Sequence, residues 1–342
     1  MPPFKFYKLP YLAQYLVLQL MTPAEVFYLT SLSVSIKNMT KRMRWCEQSP
    51  RVYLSHCFTF ESDEFYWKVF VGNKKMPVLA YQVFSDEVEH PKQEDTGKMK
   101  LYYKPSASPE FPFYYMCKSS DVDKFWEKIQ KSLEELFQTN KIEVSGTLTE
   151  IPKSITFADY RLDCFRPEAE NLEQFLESLD GKKSPNSIVM RRIYGTLREN
   201  SRISKIDYVF LRDDGYCRSD FFGNFRGKNL FMVRLRGGNQ AFVRLIKKWL
   251  NGERNNLESV IISHGSRFDS HEVLNEFNWL PYSEERRSKV YTPSVESNFE
   301  IPLETYDHSD GVDIIRESDG LLASIKISRT EFTFFVWKNR FP

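Results

Sequence analysis

The sequence predicts a mixed α/β fold, α+β when the chain is taken whole. A short helical segment should lead into a small antiparallel sheet and then into alternating helices and strands. Three observations carry this expectation: a helix-start signal at Thr22-Pro23-Ala24-Glu25 inside an apolar segment, period-two alternation of β-formers over residues 51–84, and a recurring helix-then-strand rhythm from residue 121. With 342 residues, the chain can bury a substantial core as one large domain or as a small one and a large one.

The opening segment, KLPYLAQYLVLQLMTPAEVFYL over residues 8–29, reads as packed helices. Pro10 suits a first helical turn, where a missing N–H costs nothing, and Leu12, Tyr15, Leu16, Leu18 and Leu20 then run around the cylinder instead of along one stripe. Thr22 and Glu25 form a capping box with Pro23 at the first helical position, so a second helix starts there and carries Val26, Phe27, Leu29, Leu32 and Ile36. The apolar run is interrupted by Pro10, Gln14 and Gln19 and is too short for a membrane span of about 20 residues; no small-x-small site of a secretory leader follows it. Helices in so small a segment cannot bury an all-round apolar surface alone. The segment is therefore expected to meet something else.

Residues 51–84 alternate Val, Tyr, Leu, Phe and Trp with polar residues between turn chemistry at Gly72-Asn73 and Ser85-Asp86, as a small antiparallel sheet would. Glu87–Lys98 holds almost nothing to bury and reads as an exposed loop. From Asp121 a helix is expected to Gln138, with a stripe of Phe125, Trp126, Ile129, Leu133, Leu136 and Phe137, followed by a strand at 141–145. The unit recurs with a helix at 171–180 before a strand at 187–190. A strand at 207–211 and a short helix precede one at 230–235, and a helix at 240–250, stopped by Asn251-Gly252, precedes a strand at 257–263. Such alternation favours parallel strands with helical crossovers, and the irregular spacing points to an open leucine-rich-repeat-like arc, with a doubly wound open sheet as the alternative.

Two sets of residues carry a resemblance. Leu9-Pro10, the apolar helix, Met21-Thr22-Pro23-Ala24-Glu25, Leu29-Thr30-Ser31-Leu32-Ser33 and the basic tail to Arg44 resemble the F-box in the form found in the large nematode expansion of F-box proteins. FVRLIKKWLNGERNNLESVIIS (242–263) and GVDIIRESDGLLASIKISRTEFTFFVW (311–337), with its Arg-x-x-Asp-Gly turn, are similar to signatures of the type-2 F-box-associated domain of those proteins. The resemblance implies a three-helix F-box over residues 1–48 and an F-box-associated domain over 51–342. The latter would comprise an antiparallel β portion (51–118), αβ repeats (119–285) and a C-terminal β portion with a hairpin (286–342). It also implies a substrate adaptor of an SCF-type ubiquitin ligase. Leu9, Pro10, Leu12, Leu16, Leu20, Pro23 and Leu29 would grip the Skp-family adaptor, and through it the cullin-RING ligase, while the second domain holds a protein substrate. The compartment implied is cytoplasmic, nuclear or both.

No assembled chemistry competes with that expectation. The five histidines include no HExxH, the five cysteines no CxxC, and the odd, scattered cysteine set fits a reducing compartment without a disulfide framework or a metal site. His56-Cys57 are neighbours in an expected strand and so face opposite ways; His264-Gly265-Ser266 lacks a nucleophile elbow, and Asp213-Asp214 reads as solvated turn chemistry. Gly223-Asn224-Phe225-Arg226-Gly227 and Gly237-Gly238 lack phosphate-loop spacing, so no catalytic group, cofactor or metal is expected. Lys and Arg number 48 against 46 Asp and Glu, which gives no global field for nucleic acid or an anionic membrane. A local basic run, Arg191, Arg192, Arg198, Arg202 and Lys205, marks a possible substrate-binding surface and supports the alternative of a nucleic-acid- or protein-binding scaffold.

Overall fold

The structure is a computed structural model and describes residues 6–41, 51–59, 64–72, 75–84, 93–95, 100–105, 113–146, 148, 151–164, 166–198, 200–212, 219–233, 239–263, 268–293 and 305–338. It is mixed α/β and divides into two compact units, residues 1–163 with 179–184 and residues 164–178 with 185–342. The described N-terminal residues 6–41 fall within the first unit.

The first unit begins with helices α1 (Tyr11–Leu20), α2 (Pro23–Leu32) and α3 (Val34–Thr40). The capping box forms: Glu25 N–H donates to Thr22 Oγ1 over 3.3 Å, and Thr22 N–H donates to Glu25 Oε2 over 2.7 Å. The second helix does not run on to Ile36 as the sequence suggested. Ser33 is extended and its hydroxyl accepts from Ile36 N–H, so one residue ends α2 and caps α3. Pro10 sits one residue before α1 at its N-cap.

Strands β1 (Arg51–Thr59), β2 (Glu64–Val71), β3 (Met76–Phe84), β4 (Gln93–Asp95), β5 (Lys100–Pro105), β6 (Phe113–Lys118), β7 (Lys141–Ser145) and β8 (Asp159–Cys164) follow, with α4 (Val122–Phe137) between β6 and β7. Their order is β8-β7-β1-β2-β3-β6-β5-β4. Two expectations are corrected. The portion read as antiparallel is mixed, because β4 and β5 intervene between β3 and β6, which pair in parallel, and β1 pairs in parallel with β7. Within the polar stretch read as a loop, Gln93–Asp95 pairs with Lys100–Tyr102; an edge strand needs backbone hydrogen bonds and no apolar side chains. The expected α4 stripe is buried throughout and covers the sheet, with Tyr81 stacked on Trp67 at 6.2 Å and tilted against Phe125 at 5.0 Å.

The second unit contains α5 (Ala169–Ser178), β9 (Ser187–Met190), β10 (Tyr208–Leu211), α6 (Ser219–Gly223), β11 (Asn229–Val233), α7 (Gln240–Leu250), β12 (Ser259–Ser263), α8 (Ser270–Leu274), β13 (Leu280–Pro281), β14 (Val290–Tyr291), β15 (Tyr306–Asp307), β16 (Val312–Ile315), β17 (Leu322–Ile327) and β18 (Phe332–Trp337). Strands β9 to β12 lie side by side in chain order, all parallel. β9 is buried at every position, as a parallel strand covered on both faces should be. β18 then pairs antiparallel with β12, and β17, β16 and β13 extend the sheet beyond it; β14 and β15 form a separate pair. Helix α7 seals this core through Phe242, which stacks on Phe332 at 4.1 Å, and Trp249, which meets Phe334 edge-on at 5.4 Å.

The Arg-x-x-Asp-Gly turn works as a clasp. Arg316 donates to both Asp319 carboxylate oxygens, 3.0 and 2.6 Å, while Gly320 takes the positive φ of 69° that the turn requires. The same guanidinium donates to the Trp249 carbonyl at 3.3 Å and lies 4.9 Å from that ring, so the two sequence signatures meet in one contact.

Candidate docking site on the first helix

Helices α2 and α3 attach the N-terminal segment to the rest of the first unit. Val26 and Phe27 are buried on α2, which runs against β3, and on α3 Lys37 and Lys41 reach Glu135 of α4 at 2.8 and 3.2 Å. The hydrogen-bonded Lys37, with Lys41 beside it, holds the Glu135 carboxyl below the usual carboxylate range. Gln138 also donates to the Lys41 carbonyl.

Helix α1 is attached by one face. Leu18 is fully buried and forms a small core with Ile36, against which Phe6, Tyr15, Met21, Leu29 and Met39 pack. On another face Leu12, Leu16 and Leu20, four residues apart and therefore stacked along the cylinder, are 67 %, 51 % and 87 % exposed, with Tyr11 exposed beside them. Together they leave uncovered roughly two leucine side chains' worth of apolar surface, whose burial would contribute about 4 kcal/mol. Of the residues expected to hold a partner, Leu12, Leu16 and Leu20 share this stripe and Pro10 is exposed at its start. Leu9 and Pro23 are half-buried, the Leu9 carbonyl accepting from Gln14 at 2.7 Å, and Leu29 turns into the small core.

In the second unit the expected basic residues separate. Arg191 and Arg192 lie apart from the pocket, Arg192 over the Tyr194 ring at 5.1 Å, whereas Arg198 and Arg202 line a pocket of about 560 Å³ together with Lys205. Arg226, which sequence reading did not join to them, lines the same pocket. Its signal lay in the Gly223–Gly227 segment, dismissed as a phosphate loop because its spacing is wrong for backbone recognition.

Among the described residues no three His, Cys, Asp or Glu side chains are grouped to hold a metal ion. His308 is buried, with Nδ1 2.9 Å from Ser324 Oγ and Nε2 2.8 Å from Thr333 Oγ1. This is a serine–histidine contact with no access for a substrate and no carboxylate on the second nitrogen, so it reads as a satisfied polar core. His56 and Cys57 lie on β1, while His264-Gly265-Ser266, Asp213-Asp214 and Gly237-Gly238 lie outside the described residues. Among the described residues no helix is long and apolar enough to cross a membrane. No protein-family model, curated protein or solved structure matches the chain.

Proposed function

We propose that this protein is a non-catalytic substrate adaptor of an SCF-type cullin-RING ubiquitin ligase, with residues 1–48 acting as an F-box toward a Skp-family adaptor. The single observation that carries the reading is the exposed Leu12-Leu16-Leu20 stripe on a helix whose opposite face is already packed. A helix needed only for the core would turn such a stripe inward. The three short helices, the capping box at Thr22 and the Leu9-Pro10 start support it further. The second unit would present a protein substrate; the chain-ordered parallel strands β9 to β12 fit a leucine-rich-repeat-like arc in their order, while the burial of β9 on both faces fits the covered sheet of the doubly wound alternative. Catalysis would be proximity, a substrate lysine held near the ubiquitin-charged conjugating enzyme in the cytoplasm, the nucleus or both.

The test is co-purification of the full chain with a Skp adaptor beside a Leu12→Asp/Leu16→Asp variant shown by circular dichroism to be folded. Binding by the parent and loss in the variant is the expected result; Leu16→Ala alone should cost on the order of 2 kcal/mol of binding. A well-folded parent that binds no Skp adaptor would return residues 8–29 to a helical hairpin and favour the binding-scaffold reading.

A further inference from the structure

We propose that the pocket lined by Arg198, Arg202, Lys205 and Arg226 binds a dianionic phosphate monoester. The inference stands on the second unit alone and is independent of the adaptor reading.

The charges are unbalanced by construction. Two carboxylates, Glu173 and Glu177 of α5, also line the cavity, but both are engaged at the 3₁₀ turn Arg202–Lys205. Glu173 accepts from Ser201 Oγ and from Arg202 N–H, and Glu177 Oε1 lies 3.9 Å from Arg202 Nε. Arg198, Lys205 and Arg226 are exposed at the rim and have no ion-pair partner among the described residues. Behind the lining the positive charge continues. Lys248 donates to Asn224 Oδ1 in the pocket wall, and Arg254 is 5 % exposed with its Nε and Nη2 unpartnered, its one hydrogen bond going from Nη1 to the Glu253 carbonyl at 3.0 Å. Burial, and after it the charge of Arg226, pushes Arg254 below the ordinary arginine range against the opposing pull of Glu253, so the positive field of Arg226 reaches this buried guanidinium.

The walls are fixed. Arg226 N–H donates to the Ser204 carbonyl at 2.6 Å, and a side chain at Gly227 would collide with the Ile206 carbonyl and the Phe225 ring, so the segment after α6 is held against the 3₁₀ turn. The backbone N–H groups of Asn224, Phe225 and Arg226 are all spent on carbonyls. Recognition therefore falls to side chains, and a cavity of this polarity favours concentrated charge. A phosphate monoester offers two charges on one tetrahedral group to converging guanidinium forks and an ammonium, which a single carboxylate cannot match. Nucleic acid spreads one charge per phosphodiester along a track, whereas these cations are confined to one cavity whose size suits a small ligand or one side chain.

The experiment is calorimetry on the full chain at fixed ionic strength with inorganic phosphate, O-phosphoserine, a hexapeptide carrying one phosphoserine, the same peptide unphosphorylated, and a single-stranded oligonucleotide. Phosphorylated probes should bind and the unphosphorylated peptide should not. Arg198→Gln and Arg226→Gln should each weaken binding about tenfold, while Arg191→Gln/Arg192→Gln leaves it unchanged. These residues are exposed, and Lys205→Gln serves as a further variant should either fail to fold. A phosphopeptide bound more tightly than phosphoserine would assign the monoester to a protein; equal binding would assign it to a small phosphorylated compound. Absence of binding by every phosphorylated probe, equal losses in the pocket and control variants, or tighter binding of the oligonucleotide would overturn the proposal.

Discussion

Acidification should destabilise the second unit through His308. Trp337 Nε1–H donates to Ser324 Oγ at 2.9 Å, which leaves the serine hydrogen to donate to His308 Nδ1; Nε2–H then donates to Thr333 Oγ1, which passes its own hydrogen to the Lys326 carbonyl. This chain is complete with a neutral ring, and its tautomer is assigned from the network. A second ring proton would set two donors on Ser324 and strand its hydroxyl hydrogen. Burial first, then the Arg287 and Lys326 cations against the weaker pull of Asp310 and Asp307, push the imidazole down to about 3. In the unfolded chain the ring titrates near its ordinary value of about 6.5. Above about pH 7 both states are neutral and His308 contributes no pH dependence; as pH falls through the unfolded value the unfolded chain takes up a proton that the folded one refuses. At about 1.4 kcal/mol per unit, moving from about pH 7.5 to about pH 4.5 costs about 3 kcal/mol. Urea-dependent hydrogen exchange of peptides from β16–β18, in the parent and in His308→Gln, isolates this contribution from the carboxylates common to both. The variant should start less stable and lose about 3 kcal/mol less between the two pH values. Parallel losses in the two proteins would refute the argument.

Three further outcomes follow from named contacts. Leu18→Ala should cost about 3 kcal/mol of stability in chemical denaturation and Leu16→Ala under about 1 kcal/mol, because one side chain is enclosed and the other is not. Thr22→Ala should cost about 1 kcal/mol and reduce the helical signal of the N-terminal segment, whereas Thr22→Ser should retain both. Gly227→Ala should lower the thermal midpoint as a change of about 3 kcal/mol would and should weaken the phosphate-binding pocket in the same variant, since the collision displaces the segment bearing Arg226.

The elements legible in the sequence were those whose spacing reports a buried face. Helix α7 begins and ends where its periodicity does, β7 and β9 match their apolar runs, and the α4 stripe is the buried stripe. Three things were not legible. A helix apolar on every side does not say which face will be covered, so Leu18 and Leu16 looked alike until Ile36 and Leu29 closed on one of them. The break at Ser33 depends on a single side chain choosing to cap rather than continue. The pocket is assembled from residues as far apart as Glu173 and Arg226, and a linear charge run includes Arg191 and Arg192, which lie elsewhere, while it omits Arg226.

The place of β18 has a consequence for synthesis. Val260 of β12 pairs with Phe334, so the strand that covers the free edge of the parallel ladder is made long after the edge itself. At about 5–20 residues per second the ribosome leaves that edge open for roughly 4–15 s. During this interval Val260, Ile261 and Ile262 present an apolar, unpaired strand of the kind that recruits other chains. Slowing elongation across residues 264–331 should therefore raise the insoluble fraction of the nascent protein, while the first unit, whose strands are all complete by Cys164, should be unaffected.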